Sequence, residues 1–366
     1  MRFPLSKKNL GVALVISTLA IACSPSQPKA TVPATKSIDR QVVIDFADKV
    51  VVPSYERFTA KTKDLKIAVD AFTASPTAAT LKSAQQAWMD ARVPWEKGES
   101  FTIGPAKSLG LDGSIDTWPL NKTDVDKVLK GSEKLTPESV TKLQDSQKGY
   151  HTIEFLLFGG NGKKVAADFT PRDLEYVKAA TTVLDRDANS LLNAWTRGVD
   201  GKPAYREVFT TAGEPSNTTY PTLQAAAQEM VEGILDSTTE VAENKIGEPF
   251  TKKDVTSIES QYAIANPLKD FKSNILCVKN VYFGTLEDHA SGKAGLSAFV
   301  AKIDPKLDAR VDQEINAALA SIEAIPAPFH NAITDPSAAT KIQSAIAAVT
   351  TVKETFEKDI KPLVLQ

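Results

Sequence analysis

The feature that most restricts the fold is a pair of long apolar stripes near the C-terminus. Leu307, Val311, Ile315, Leu319 and Ile322 form one, and Ile342, Ile346, Val349, Val352 and Phe356 the other. Steps of three and four place such residues on one side of an α-helix. The same spacing recurs through Val43, Phe46, Ala47, Val50 and Phe58, and through Leu81, Ala84, Trp88 and Ala91. No stretch alternates apolar and polar residues as a half-buried strand would. Long helices joined by short turns predict an all-α bundle architecture.

The ends of these helices are marked. Thr136-Pro137, Thr170-Pro171 and Asp335-Pro336 each place a capping side chain before a proline, which reads as a helix start. Pro53 is expected to kink the first helix, and Pro94 with Gly98 to end another near Glu99. Residues 104–121, rich in glycine, proline and aspartate, read as a long ordered loop. Gly159-Gly160 stops a helix, and Asn161-Gly162-Lys163-Lys164 is expected to turn between an N-terminal bundle, 38–162, and a C-terminal one, 163–366.

The first 22 residues read as a secretory leader. Arg2, Lys7 and Lys8 precede an apolar run from Leu10 to Ala22 that is short for a membrane span. Cys23 follows Ala20-Ile21-Ala22, as in a lipoprotein cleavage box. The polar, proline-rich segment 23–37 suits a tether. An exported protein held in the cell envelope by a lipid on Cys23 is the expectation, with a soluble periplasmic form as the alternative. Cys277, the other cysteine, lies in an apolar run and reads as an inert core residue. A net charge of −2 without a basic stripe argues against nucleic-acid binding.

Chemistry concentrates in Gly149-Tyr150-His151-Thr152-Ile153-Glu154-Phe155-Leu156-Leu157-Phe158-Gly159, which holds one of only three histidines. His151 and Glu154, three apart on a helix, project side by side among apolar residues. They are either a core histidine bonded to a glutamate or a pair of metal ligands, since imidazole and carboxylate together suit iron, manganese, zinc or copper. His289 and His330 match no motif and read as surface or packing residues.

The Gly-x-His-x-x-Glu run followed by Phe-Leu-Leu-Phe-Gly resembles the signature of the imelysin-like family, bacterial cell-envelope helical proteins, some labelled metallopeptidases and others linked to iron uptake. An upstream block containing Trp88, Arg92, Trp95-Glu96, Glu99-Ser100-Phe101 and Ile115-Asp116-Thr117-Trp118-Pro119 is also similar, as is Glu259-Ser260-Gln261-Tyr262 through Asp270, Asn274 and Gly284. In the last block Gln261 and Ala263 stand where the family often has arginine and serine. The resemblance implies two packed bundle-like halves with the histidine motif near their junction. It also implies Glu99 and Glu259 as further metal ligands beside His151 and Glu154, and Arg92, Asp116, Trp118 and Gly149 as walls or supports of the site.

Two functions compete. One is an envelope metal-binding protein of iron uptake, with iron as the expected metal, a metal ion or small iron-containing ligand as its partner, and an envelope permease or receptor beyond it. The other is a zinc-type metallopeptidase, although His-Glu-x-x-His is absent and no base is identified. Haem bound through His151 is a third reading. The absence of a phosphate-binding glycine loop argues against a nucleotide enzyme.

Overall fold

The computed structural model describes residues 37–286 and 294–366, and among these no residue is in a strand. Cys23 and His289 lie outside the described residues. Among the helices of the described residues are α1 (Val52–Ala74), α2 (Ala78–Glu96), α3 (Leu111–Asp116), α4 (Gly149–Phe158), α5 (Pro171–Thr196), α6 (Leu223–Thr239), α7 (Pro267–Phe283), α8 (Pro305–Glu323) and α9 (Ala339–Thr355). The described residues include no helix long and apolar enough to cross a membrane.

The helices form where their apolar faces can be covered. Val43, Phe46, Ala47, Val50 and Phe58 are fully buried, as are Trp88, Ala91, Ile315, Ile322, Ile342 and Val349. Thr170 accepts from the Asp173 backbone N–H while Asp173 accepts from that of Thr170, so the first turn of α5 is closed by a reciprocal capping box. Asp335 likewise accepts from Ser337 N at the turn that leads into α9. The chain stays helical through Pro53, the residue expected to kink it. The proline sits in the first turn of α1, directly after a π-helical segment, Phe46–Val51, where its missing N–H costs least.

Helix α1 packs against α2 and α5, α4 against α2 and α5, and α7 against α2 and α8, while α8 pairs with α9. Because α5 lies along α1 and α4, the glycine turn at 159–162 joins helices of one bundle. The described residues from 37 onward belong to one contact unit, in which helices from both sides of residue 162 pack together. The segment 104–121 is also more regular than a loop: it contains the short helix Pro105–Ser108 and α3. Glycines at its start and between those helices take the positive φ that lets the chain turn so tightly.

Gly149 sets the depth of α4. Its φ is +72°, and a Cβ there would lie 2.4 Å from the carbonyl oxygen of Ile115. Only a residue without a side chain lets α4 begin flush against α3. Trp88 then locks α4 to α2, donating its indole N–H to Tyr150 O at 3.0 Å and stacking edge-on against Tyr150 and Phe158. Gly149→Ala should therefore destabilise the protein by ~2–4 kcal/mol, more than left-handed strain alone, because the backbone clash adds to it. Urea unfolding with an unchanged m-value would check this; a loss below ~0.5 kcal/mol would refute the close-approach argument.

Candidate metal centre

The centre is built around Arg92, fully buried on the last turns of α2. Its guanidinium faces carboxylates from four parts of the chain: Glu96 one turn on, Asp116 at 2.5 Å, Glu259 at 3.2 Å and Asp270 at 3.5 Å. Its positive charge also lies over the Tyr150 ring, 5.0 Å from the centroid. Asp116, at the end of α3, takes a second bond of 2.6 Å from the Trp95 indole. Glu259 and Ser260 lie in the segment before α7, and Ser260 has a φ of +53°. Ser260 Oγ and Asn266 donate to Asp270 at 2.6 and 2.7 Å.

On the Asp116 side stands His151. Its Nε2 is 3.2 Å from Asp116 Oδ1 and 3.9 Å from Glu259 Oε1, and these three residues form one of the two groups of donors, among the described residues, close enough to share a metal ion. Nε2 is buried and makes no aligned hydrogen bond. The other ring nitrogen, Nδ1, lies 3.0 Å from Glu154 Oε2. Glu154 Oε1 accepts the backbone N–H groups of Tyr262 and Ala263 at 2.7 and 2.9 Å. Glu154 is therefore not placed with the ligand atoms: it holds the imidazole from behind and ties α4 to the segment that carries Glu259. A carboxylate that fixes a ligand histidine through its other nitrogen is a common support for a metal.

Opposite His151 lies Lys245, in a π-helical segment, Glu240–Gly247, that continues α6. Its Nζ is 3.0 Å from Glu259, 3.2 Å from Glu96, 3.2 Å from Asn274 Oδ1 and 3.8 Å from Glu99. Asn274 also donates to Glu96 at 2.7 Å. The second donor group, Glu96, Glu259 and Asp270, surrounds Arg92 and needs no other cation to explain it.

Six acidic side chains thus meet Arg92, Lys245 and His151 in a buried space, and protonation must make up the difference. Burial would lower the His151 pKa, but the Asp116 and Glu154 carboxylates beside its two nitrogens outweigh it and raise the value to about 10. Burial pushes Asp270 up to about 8, with Arg92 opposing and Glu96 and Glu259 reinforcing the rise. Burial likewise raises Glu96 and Glu99. Asp116 and Glu259 go the other way: burial would raise them, but Arg92 and His151 hold Asp116 low, and Lys245 and Arg92 hold Glu259 low.

Of the residues singled out in the sequence, His151, Asp116, Glu259 and Arg92 come together, with Asp116 moved from a supporting place to a ligand one. Glu99 stands apart, reaching only Lys245, with 22% of its side chain exposed. Trp118 is half-buried, and its buried Nε1 has no hydrogen-bond partner. Gly149 acts through the depth of α4. Lys245, Glu96 and Asp270 were not assigned to the site from the sequence; only their shared burial with Arg92 reveals them. His330, read as a packing residue, bonds the carbonyl of Gln261 at 2.7 Å and so steadies the Glu259 segment. Cys277 is fully buried, accepts the Ser100 N–H at 3.4 Å, and has its thiol pushed up to about 12 by burial, consistent with an inert core residue.

The fold and the centre together define a class: an all-α protein that gathers a histidine and several carboxylates about a buried arginine. The chain belongs to the Imelysin family, whose profile matches residues 51–356. It is 34% identical over 362 residues to iron-regulated protein A of Synechococcus elongatus, covering 99% of this chain and 95% of that one. A putative iron-regulated protein A precursor from Parabacteroides distasonis has a similar crystal structure, with a TM-score of 0.80 and 28% identity over 88% of this chain and 94% of that one. An imelysin-like protein from Psychrobacter arcticum shares the fold, with a TM-score of 0.70 at 13% identity over 90% and 97% of the two chains.

The raised His151 and Asp270 values carry a stability prediction. A histidine whose pKa is higher in the folded state contributes stability that is full below its unfolded value of about 6.5 and lost as pH rises through the folded value. A buried acid with a raised pKa also holds a proton that the unfolded chain has already lost. Both effects remove stability as pH rises, so the metal-free protein should lose on the order of 5 °C in Tm between pH 7 and 10. His151→Gln should flatten that slope; a parallel slope in the variant would assign the loss to other groups.

Proposed function

We propose that this is a metal-binding protein of the cell envelope that takes part in iron uptake, holding the ion through His151, Asp116 and Glu259. The observation that carries the reading is His151 Nε2, buried without an aligned hydrogen bond and facing the two carboxylates at 3.2 and 3.9 Å. One nitrogen with two oxygens is a hard-to-borderline donor set that suits iron or manganese, and also zinc. When bound, the ion would supply positive charge where the buried carboxylates now rely on protons and on Arg92. Asp116 and Glu259 already hold low pKa values and are ready to ligate. His151 must give up a proton first, and Glu154 is placed to keep Nδ1 in the orientation that points Nε2 at the ion.

A network built only for stability is a poor alternative. Burying charged groups costs more than their attraction commonly returns, and apolar residues of similar size would serve the fold at least as well. The likeness to iron-regulated protein A of Synechococcus elongatus is what favours iron over other metals. The leader and Cys23 would place the protein in the envelope, and a permease or receptor would be its partner there.

Peptide hydrolysis is supported less well. It requires a base beside the metal-bound water, and Glu154 has both oxygens committed, one to His151 and one to two backbone N–H groups. Haem is supported less well again, because Nε2 faces carboxylates instead of an apolar slot.

Metal analysis of the purified mature protein should find close to one iron per chain, and none in His151→Ala. Glu154→Gln should keep the fold and weaken iron by ~10–100-fold, since the amide would favour the tautomer that protonates Nε2. Titration calorimetry in buffers of different ionisation heat should show proton release on binding, with affinity rising from pH 6 to 8. Wild-type affinity in Glu154→Gln, or no proton release, would overturn the ligand assignment.

A further inference from the structure

Each of the three donor side chains at the candidate centre has a second polar atom that is already taken. His151 offers Nε2, while its Nδ1 lies 3.0 Å from Glu154 Oε2. Asp116 offers Oδ1, 3.2 Å from Nε2, while its Oδ2 accepts the Trp95 indole N–H at 2.6 Å. Glu259 offers Oε1, 3.9 Å from Nε2, while its Oε2 lies 3.0 Å from Lys245 Nζ. The two groups that face the far oxygens are fixed in place. Trp95 is buried on the last turn of α2, with its ring 5.1 Å from that of Phe58. Lys245 is buried too, and its Nζ also donates to Glu96 Oε2 and Asn274 Oδ1, each at 3.2 Å. Arg92 meets the offered oxygens themselves, Asp116 Oδ1 and Glu259 Oε1, and an oxygen with two lone pairs can serve a guanidinium and an ion together.

The other carboxylates shown around the centre do not enlarge the donor set. Asp270 accepts from Ser260 Oγ on one oxygen and from Asn266 on the other. Glu154 Oε1 takes two backbone N–H groups and Oε2 faces His151. Glu96 Oε1 pairs with Arg92, and its Oε2 accepts from Lys245 and Asn274. A carboxylate whose second oxygen is held by a donor binds an ion through one oxygen only. The centre therefore presents one nitrogen and two single oxygens. The rest of an ion's shell must come from water or from a molecule that arrives with it.

That count separates one cation from another. Calcium gathers about six to eight oxygens, often through bidentate carboxylates. First-row transition ions take fewer ligands and bind imidazole well. We propose that Trp95 and Lys245 set the metal specificity of the centre: by occupying Asp116 Oδ2 and Glu259 Oε2 they hold both ligands to single-oxygen binding, so that it takes a divalent transition-metal ion and rejects calcium. The inference rests on the metal-binding reading above and deepens it to a choice among cations. Neither residue touches the ion; each is a positioning residue that acts through the carboxylate it holds. Lys245 does more, because an ammonium beside Glu259 weakens the pull on every dication alike and leaves the imidazole nitrogen to make the difference.

Manganese(II) is the probe, since its paramagnetic resonance signal separates free from bound ion, with calcium(II) as competitor on the full mature chain. Wild type should hold manganese against about a hundredfold excess of calcium. Trp95→Phe, which keeps an aromatic ring and frees Oδ2, should narrow that preference about tenfold. Lys245→Met should tighten both ions and narrow the preference in the same direction. A purely structural role would weaken both ions together and leave their ratio where it was. Infrared difference spectra of wild type decide the matter even if a variant fails to fold. Manganese should give the wide separation of antisymmetric and symmetric carboxylate stretches that marks single-oxygen binding. A narrow, bidentate separation would overturn the proposal, as would an unchanged calcium-to-manganese ratio in the folded variants, or calcium displacing manganese from wild type at equal concentration. No manganese on wild type would overturn it as well; no iron either would take the metal-binding reading with it, whereas bound metal confines the failure to Trp95 and Lys245.

Discussion

Everything near the centre answers to the charge of Arg92. A guanidinium cannot lose its proton in a protein, and this one is fully buried. It must be met by carboxylates, and Glu96, Asp116, Glu259 and Asp270 meet it from α2, α3, the 259–266 segment and α7. Those contacts draw the ends of α2 and α3, the 259–266 segment and the first turn of α7 to one point. Asp116 is the last residue of α3, and the chain around Ser260 accepts a left-handed conformation while Ser260 Oγ bonds Asp270. The arginine thus works as the organiser, and the histidine as the group left facing the surplus of acid.

That surplus separates the centre from an ordinary ion-pair network. Arg92 and Lys245 compensate part of the acid, raised carboxyl pKa values compensate more, and the His151 imidazolium does the rest. A metal ion would exchange protons for a divalent charge in the same place. Binding and protonation therefore draw on one set of groups, which is how metal sites come to be linked to pH.

The helical class was legible in the sequence because burial and period coincide: the Leu307 and Ile342 stripes face the core almost residue for residue. His151 and Glu154 were legible because they neighbour each other on one helix turn. The motif did not reveal that Glu154 serves the far nitrogen, since spacing says which side chains are adjacent and not which atom each one offers. Asp116 was recognised only as support because its place depends on α3, a six-residue helix inside what reads as loop. Lys245 carried no signal at all. It lies on an unremarkable helical run, and only the widened π-helical turn carries its side chain inward to Glu96 and Glu259.

The 108 positions separating Glu154 from Tyr262, and the 167 separating Arg92 from Glu259, have a consequence for the order of events in a cell. A chain that emerges from its N-terminus presents Arg92, Asp116 and His151 long before Glu259, Asp270 and the two N–H groups that steady Glu154. The partial centre is therefore incomplete for as long as the chain is being made. An ion bound through His151, Asp116 and Glu259 would meet the full set of donors only once chain synthesis had passed residue 259. Loading would then be a late event, in whichever compartment completes the fold.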